Sequence, residues 1–395
     1  MTENNTSQGE ARFTDRSAPN APLSVGHILP FRGGVGGTEL ATLRLAEAAK
    51  RVGIRSVIFS VVNPTVAGFF RSHGFRVLEF EEEQPSYRHP SKYWRASREL
   101  AKQFRREGVD LVHCADVLGA HYTSLAALLG RKKLICHVRN RHDRISRRDL
   151  TFLAPVDGFV FVSRHTRETF SRRTASRKAT VLYDGIDLPE EIRETERHDL
   201  AERMRREFGI PPGRRVIGMV ARVAPQKDYV TLCRAAQLVL KTHDVSFLIV
   251  GDYEGPVYRE TYEQTRRLLD ELKISDRFVF SGFRRDARML VAGVDVCVLS
   301  THYEGFPLVL LESMADSRPV AATAVDGIPE IVLHEETGLL HPHEDHERLA
   351  ANLKRLLDDG ELANRLGAAG RDLVRSRFSQ EQFEHNVAEM YKRWV

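Results

Sequence analysis

The sequence predicts an α/β protein made of two doubly wound, Rossmann-like domains in series. Three observations lead there. The chain has 395 residues, 42% of them hydrophobic, which is more than one core holds and enough for two domains of ordinary size. From Leu23 onward, short apolar runs alternate with longer amphipathic ones, the order expected of a parallel sheet with helices on its faces. That alternation stops between about Asp187 and Arg214 and then begins again. The expected boundaries are a disordered tail at 1–22, a first domain at 23–187, a connector at 188–213, a second domain at 214–377 and a last segment at 378–395.

Taken in order, LSVGHILP reads as a strand, TELATLRLAEAAKRVG as a helix and IRSVIFSVV as a strand. VDLVHCAD, KKLICHV and VDGFVFVS follow as strands, with helical patterns between several of them. The charged stretch LPEEIRETERHDLAERMRREFGIPPG, closed by Pro211, Pro212 and Gly213, is a connection with a helix inside it. RRVIGMVAR, VSFLIVGD, RFVFSGF, VDVCVLST and RPVAAT are then strands, and YVTLCRAAQLVLKT and FPLVLLESMA are helical.

A formal net charge of +5 suits phosphates or an anionic surface without choosing between them. Cys114, Cys136, Cys233 and Cys297 stand far apart with no C-x-x-C pair, a pattern that fits neither a zinc site nor a disulfide framework and is simplest in a reducing cytoplasm. The first residues lack the apolar segment of a signal peptide, and no stretch approaches the length of a membrane span. A cytoplasmic protein is expected. Arginine-rich stretches at 139–150 and 164–178 read either as a solvated face or as a peripheral contact with an anionic membrane or a lipid diphosphate. Their lack of interleaved aromatics argues against nucleic acid.

The chemistry concentrates in STHYEGFPLVLLESMA, where Glu304 and Glu312 stand eight residues apart with Pro307 between them. The preceding run, VDVCVLST, is a buried-type strand, and ligands of open parallel sheets gather beyond the carboxyl ends of strands. Proline favours the first helical position, so Pro307 is expected to start a helix whose free N–H groups, on Leu308 and Val309, form an anion site. Carboxylates accept from sugar hydroxyls better than they partner phosphate. The arrangement therefore reads as phosphate on the helix end with a ribose and a donated sugar beside it. Arg222 and Lys227, in the loop of VARVAPQKDYV, are placed to neutralise a leaving diphosphate without a metal. No DxD stands in a strand-end loop to suggest a bound divalent ion. The glycines of RGGVGGTEL match neither the P-loop pattern nor the dinucleotide pattern, since no lysine follows and Glu39 stands at the last glycine's place.

EGFPLVLLE resembles the E-x7-E motif of retaining glycosyltransferases of the GT-B fold, family 4, and RVAPQK is similar to that family's diphosphate clamp. The likeness runs on through LIVGD, FVFSGF, AVDGIPEIV and ETGLL and covers nearly the whole chain after the tail. It implies that Glu304 contacts the donor sugar, Glu312 the ribose, and Arg222 and Lys227 the diphosphate. It further implies donor contacts from Asp252, Phe283, Arg284, Gly305 and Phe306, Asp252 being open to a second reading as a helix cap. Gly36 and Gly37 resemble the family's glycine-rich loop, where backbone approaches donor phosphate or acceptor. The final helix, EQFEHNVAEMYKRW, is implied to cross back onto the first domain. Many relatives carry a histidine where this chain has Ala115; His113 is one substitute, and His137 in LICHVRN is preferred as the catalytic histidine. Asp184-Gly185 stands where Asn-Gly is usual.

The expected activity is hexosyl-type transfer from a nucleotide-diphosphate sugar to a glycan, lipid-linked or small-molecule acceptor in polysaccharide or glycoconjugate synthesis, with no metal or other cofactor. The alternatives are a catalytically silent sugar-nucleotide-binding protein and a sugar-nucleotide epimerase of the same fold. Donor base, acceptor and oligomeric state are open at this point.

Overall fold

The computed structural model describes residues 22–30, 33–85, 88–139, 151–170 and 178–394. All but the last residue of the expected tail at 1–22, and most of the two arginine-rich stretches, lie outside the described residues.

Two all-parallel sheets carry the chain. The first joins β1 (Ser24–Leu29), β2 (Arg55–Val61), β3 (Arg76–Phe80), β4 (Leu111–Cys114), β5 (Lys133–Val138), β6 (Gly158–Phe161) and β7 (Lys178–Val181) in the order β3-β2-β1-β4-β5-β6-β7. The helices between them are α1 (Gly37–Arg51), α2 (Pro64–Ser72), α3 (Pro90–Arg106), α4 (Val117–Gly130) and α5 (Arg164–Thr169). The connector holds α6 (Glu194–Glu207), with acidic residues in its first turn and Arg205 and Arg206 in its last, which suits the helix dipole. The second sheet joins β8 (Arg215–Val220), β9 (Val245–Val250), β10 (Phe278–Gly282), β11 (Val296–Leu299), β12 (Val320–Thr323) and β13 (Leu339–His341) in the order β10-β9-β8-β11-β12-β13. Its helices are α7 (Tyr229–Leu240), α8 (Pro256–Glu271), α9 (Ala287–Gly293), α10 (Leu308–Ala315), α11 (Ile328–Ile331), α12 (His346–Asp358) and α13 (Gly360–Arg377). Strands buried on both faces explain the continuous apolar runs such as SVGHIL and VSFLIV, whose residues are all buried.

In each sheet the order reverses once, between β1 and β4 and between β8 and β11. Crossovers leave such a point toward opposite faces and open a crevice at the carboxyl ends of the strands. The loops after β8 and β11 flank the second of these points.

The helix α14 (Gln380–Lys392) lies on the first sheet. Its Phe383, Val387, Met390 and Tyr391, with Trp394 beyond it, join Val25, Ile135 and Val160 in one apolar cluster. The four cysteines are free and buried. Among the described residues no helix is long and apolar enough to cross a membrane.

The Trp394 ring occupies the space that a side chain at Gly158 would need, since a Cβ there would overlap it. Gly158→Ala should destabilise the protein by about 1–3 kcal/mol, the usual cost of overpacking, read as a lowered denaturation midpoint. Combining it with Trp394→Ala should cost less than the sum of the two single changes; strict additivity would show that the two residues do not share that space.

Candidate functional site

The loops leaving β8 and β11 are bound to each other by backbone. Asp228 N–H donates to Ser300 O at 3.1 Å and His302 N–H to Gln226 O at 2.9 Å, with an antiparallel bridge between Lys227 and Thr301. Thr301 Oγ1 adds a bond to Gln226 O at 3.1 Å. This fixes the Lys227 ammonium against the Glu304 carboxylate in an ion pair whose side chains are each only 12% exposed. Arg222, earlier on the same loop, is exposed; its Nη1 donates to the Tyr258 hydroxyl at 2.6 Å and its guanidinium lies over that ring.

Glu304 N–H donates to Asp326 Oδ2 at 2.8 Å, and Gly305 follows at a place where no Cβ fits, because one would overlap the Arg139 carbonyl oxygen of the first domain. Phe306 packs on Tyr183 and Phe378, with ring centroids 5.3 and 5.6 Å away. Pro307 was expected as the first helical residue; it caps α10 from just outside, with extended backbone, and Leu308 is the first residue of the helix. The N–H groups of Leu308 and Val309 thus lie in the opening turn, where a helix supplies no acceptors of its own. Glu312 stands in the second turn. Arg44 of α1 reaches across from the first domain to 3.5 Å from its Oε1. Burial raises the Glu312 carboxyl above its ordinary range, and Arg44 works against that rise.

Between these elements is a cleft of about 420 Å³, whose wall includes Arg222, Lys227, Glu304 and Leu308 from the second domain and Gly37 and Arg139 from the first. Gly36 caps α1, its N–H donating to Glu39 Oε2 at 2.9 Å. Gly37 is therefore the glycine that faces the cleft. The one group of three metal-ligating side chains among the described residues, Asp228, His302 and His343, does not share this wall.

His137 does not take the position expected of it. It is an interior residue of β5, fully buried, stacked on His113 with centroids 5.4 Å apart. Its Nδ1 stands 3.4 Å from Arg139 Nη2, and Arg139, two residues on and past the strand end, is the group that lines the cleft. His137 can act on a bound molecule only through Arg139. His113 is no substitute, since its Nδ1 is bonded to the Tyr391 hydroxyl at 2.8 Å beneath the sheet. Arg139 is paired with Asp184 at 3.3 Å, both nearly buried, so the acid at the usual Asn place has a cation beside it. The signal for Arg139 was available: the first polar residue beyond a parallel strand's carboxyl end is better placed than one inside the run.

Besides Gly36, five expected donor groups lie off the cleft wall: Val309 and Glu312 of α10, and Asp252, Phe283 and Arg284. Asp252 is no helix cap; it accepts from Glu254 N–H at 2.9 Å through its side chain and from Val223 N–H at 2.9 Å through its carbonyl, which ties the Arg222 loop to the end of β9. Phe283 is 72% exposed. Arg284 is turned onto Glu207 and Asp286, with its guanidinium over Phe208.

Behind Arg139, His27, His113 and His137 form a buried row on β1, β4 and β5. Burial, and secondarily the charge of Arg139, holds the His27 ring down to about 3. Burial also holds His113 and His137 well below the ordinary value.

The chain matches the family model for glycosyl transferases group 1 over residues 201–373 and that for glycosyltransferase family 4 over residues 35–190. N-acetyl-alpha-D-glucosaminyl L-malate synthase of Bacillus anthracis is 30% identical over 188 residues, 48% of each chain. A D-inositol 3-phosphate glycosyltransferase of Corynebacterium efficiens is 34% identical over 171 residues, 42% of this chain and 40% of that one. The chain thus spans about half the length of the curated relatives it matches. Among solved structures, a glycosyltransferase from Rickettsia africae superposes with a TM-score of 0.82 at 20% identity, over 94% of this chain and 98% of that one. Anabaena HepE in complex with UDP and glucose gives 0.79 at 18% identity, over 94% and 99%. At these identities the likeness is one of fold, that of two facing α/β domains.

The histidine row makes stability depend on pH. An unfolded His27 binds its proton near 6.5 and the folded one only near 3, so this contribution is intact above about pH 6.5 and is lost progressively as pH falls toward 3. His27→Gln should flatten the fall of unfolding free energy inside that window by about 1.4 kcal/mol per pH unit. Denaturant titrations at several pH values measure it, and an unchanged slope would mean that the ring is protonated in the fold.

Proposed function

The chain belongs to the GT-B glycosyltransferases of family 4, and from that premise we propose that it moves a sugar from a nucleotide-diphosphate donor to an acceptor with retention of anomeric configuration. The observation that carries this reading is the Lys227–Glu304 pair beside the open end of α10, with Arg222 on the same wall. The diphosphate is received by the N–H groups of Leu308 and Val309 and by Arg222 and Lys227, which stabilise the negative charge that grows as the sugar–phosphate bond breaks. Glu304 takes hydroxyls of the donated sugar, and Glu312 takes the ribose once Arg44 yields it. UDP and UDP-glucose in the HepE complexes support a sugar nucleotide as donor.

The acceptor enters from the first domain, past Gly37 and Arg139, and attacks on the face from which the diphosphate leaves. A hexosyl group, a glycan, lipid-linked or small-molecule acceptor, and charge compensation of the diphosphate without a metal complete the proposal. The lipopolysaccharide core glycosyltransferase of Rhizobium meliloti, 31% identical over 180 residues, supports a place in glycoconjugate synthesis, at the cytoplasmic side of the membrane.

Lys227→Ala should lower turnover about 10²–10³-fold, the effect of losing one contact to developing negative charge, with a smaller effect on donor affinity; full turnover in a folded variant would remove the assignment. Glu312→Gln should weaken calorimetric binding of the bare nucleoside diphosphate as well as the sugar nucleotide. Glu304→Gln should weaken only the sugar nucleotide and its transfer. If both variants bind both ligands as the parent does, the donor site lies elsewhere. Conversion of the sugar nucleotide into its epimer with no acceptor present would favour the epimerase reading instead.

A further inference from the structure

Outside the cleft, three side chains that the transfer reaction does not use converge. His302 Nδ1 and His343 Nε2 face each other at 2.8 Å, and together with the Asp228 carboxylate their ligand atoms all lie within 4.8 Å of one another. From this cluster we propose that Asp228, His302 and His343 bind a divalent metal ion of the class that prefers imidazole, with zinc as its reference ion.

The ordinary account of these residues is incomplete. Asp228 caps α7, its Oδ1 accepting from Thr231 N–H at 2.9 Å, and a cap needs one oxygen. The other oxygen, Oδ2, is buried in a residue only 2% exposed and has no hydrogen-bond partner. A carboxylate oxygen withdrawn from water without a donor is costly, and a cation is the natural partner for it. The two imidazoles supply the rest of the set, and Glu344 is at hand for a fourth position, its Oε1 lying 3.9 Å from His302 Nδ1 and 4.0 Å from His343 Nε2. Zinc takes nitrogen and carboxylate ligands at about 2.0–2.2 Å, so closing the set requires side-chain rotation. His302 is half-buried and His343 exposed, so the rotation falls chiefly to His343. Two imidazoles and a carboxylate select zinc or a similar transition ion over magnesium and calcium, which take oxygen ligands.

The placement gives the ion an effect. Asp228 follows Lys227 directly and His302 precedes Glu304 by two residues, while His343 comes from the loop after β13. A bound ion staples the paired loops of the switch point to a third loop and steadies the Lys227–Glu304 pair without touching the cleft.

The test is calorimetric titration of zinc chloride into untagged, EDTA-treated full-length protein, for the parent and for Asp228→Asn, His302→Gln and His343→Gln. Asparagine caps a helix as well as aspartate does, so Asp228→Asn removes the charge and keeps α7. The parent should take up one zinc more tightly than its scattered surface histidines do, each variant should bind it at least about 10-fold more weakly, and cobalt in the parent should give the intense visible band of a four-coordinate site. No tight zinc in the parent, undiminished binding in both histidine variants, or displacement of zinc by equimolar magnesium would each overturn the proposal. Failure here leaves the glycosyltransferase reading standing, since that rests on the cleft.

Discussion

The site depends on a short antiparallel contact between two loops that leave neighbouring parallel strands. Because the strand order reverses between β8 and β11, their following helices depart to opposite faces, and nothing in the sheet itself would keep the loops together. The Lys227–Thr301 bridge and the bonds around it do so. With them in place, a cation and a carboxylate that would each be poorly solvated alone neutralise one another; removing one partner of such a pair strands the other. The arrangement also sets a chemical balance. Lys227 already holds an anion before any ligand arrives, so on the proposed reading an incoming diphosphate would compete with Glu304 and release that carboxylate toward hydroxyls.

The two domains meet through polar contacts, one bare stretch of backbone and the packing of Phe306 on Tyr183. Glu330 accepts from the N–H groups of Arg164 and His165 at the start of α5, at 2.9 and 2.8 Å, and from the Tyr183 hydroxyl at 2.6 Å. Arg44 spans to Glu312, and Gly305 lies against the Arg139 carbonyl. The interface is thus mixed, its polar bonds standing beside aromatic and aliphatic packing that includes Val162 and Ile186. It sets the cleft width while leaving each sheet to fold around its own apolar residues.

Much of this was legible beforehand. Runs such as VSFLIV and SVGHIL announced central strands because both faces are buried, and a proline and an acid pair past VCVL announced a strand-end site. The strands that escaped notice, β3, β7 and β13, are the outermost strands of their sheets. An outermost strand pairs on one side only and carries no long apolar run; RVLEF is at best partly buried over most of its length. At the site, the residues of one loop were readable from their own spacing, whereas Arg44 and the Arg139–Asp184 pair were not, since each depends on which distant segment stands opposite. His137 misled for a local reason. The family likeness that pointed to it places a histidine after the strand, whereas His137 lies inside β5. Arg284 misled because its acidic neighbours, Glu207 and Asp286, outcompete a cleft for its guanidinium.

The helix α14 bears on how the protein is made. Residues of the first sheet such as Val25, Ile135 and Val160 are covered by Phe383, Val387, Tyr391 and Trp394, which a ribosome reaches only after the entire second domain. Chains emerge with the amino-terminal part first, so the first domain waits through that whole interval with an apolar face uncovered and His113 lacking its tyrosine. The domain that is begun first is finished last. A nascent chain of this protein therefore presents chaperones with that apolar face, and a chain that ends between Phe378 and α14 has its second-domain core complete and its first sheet still uncovered.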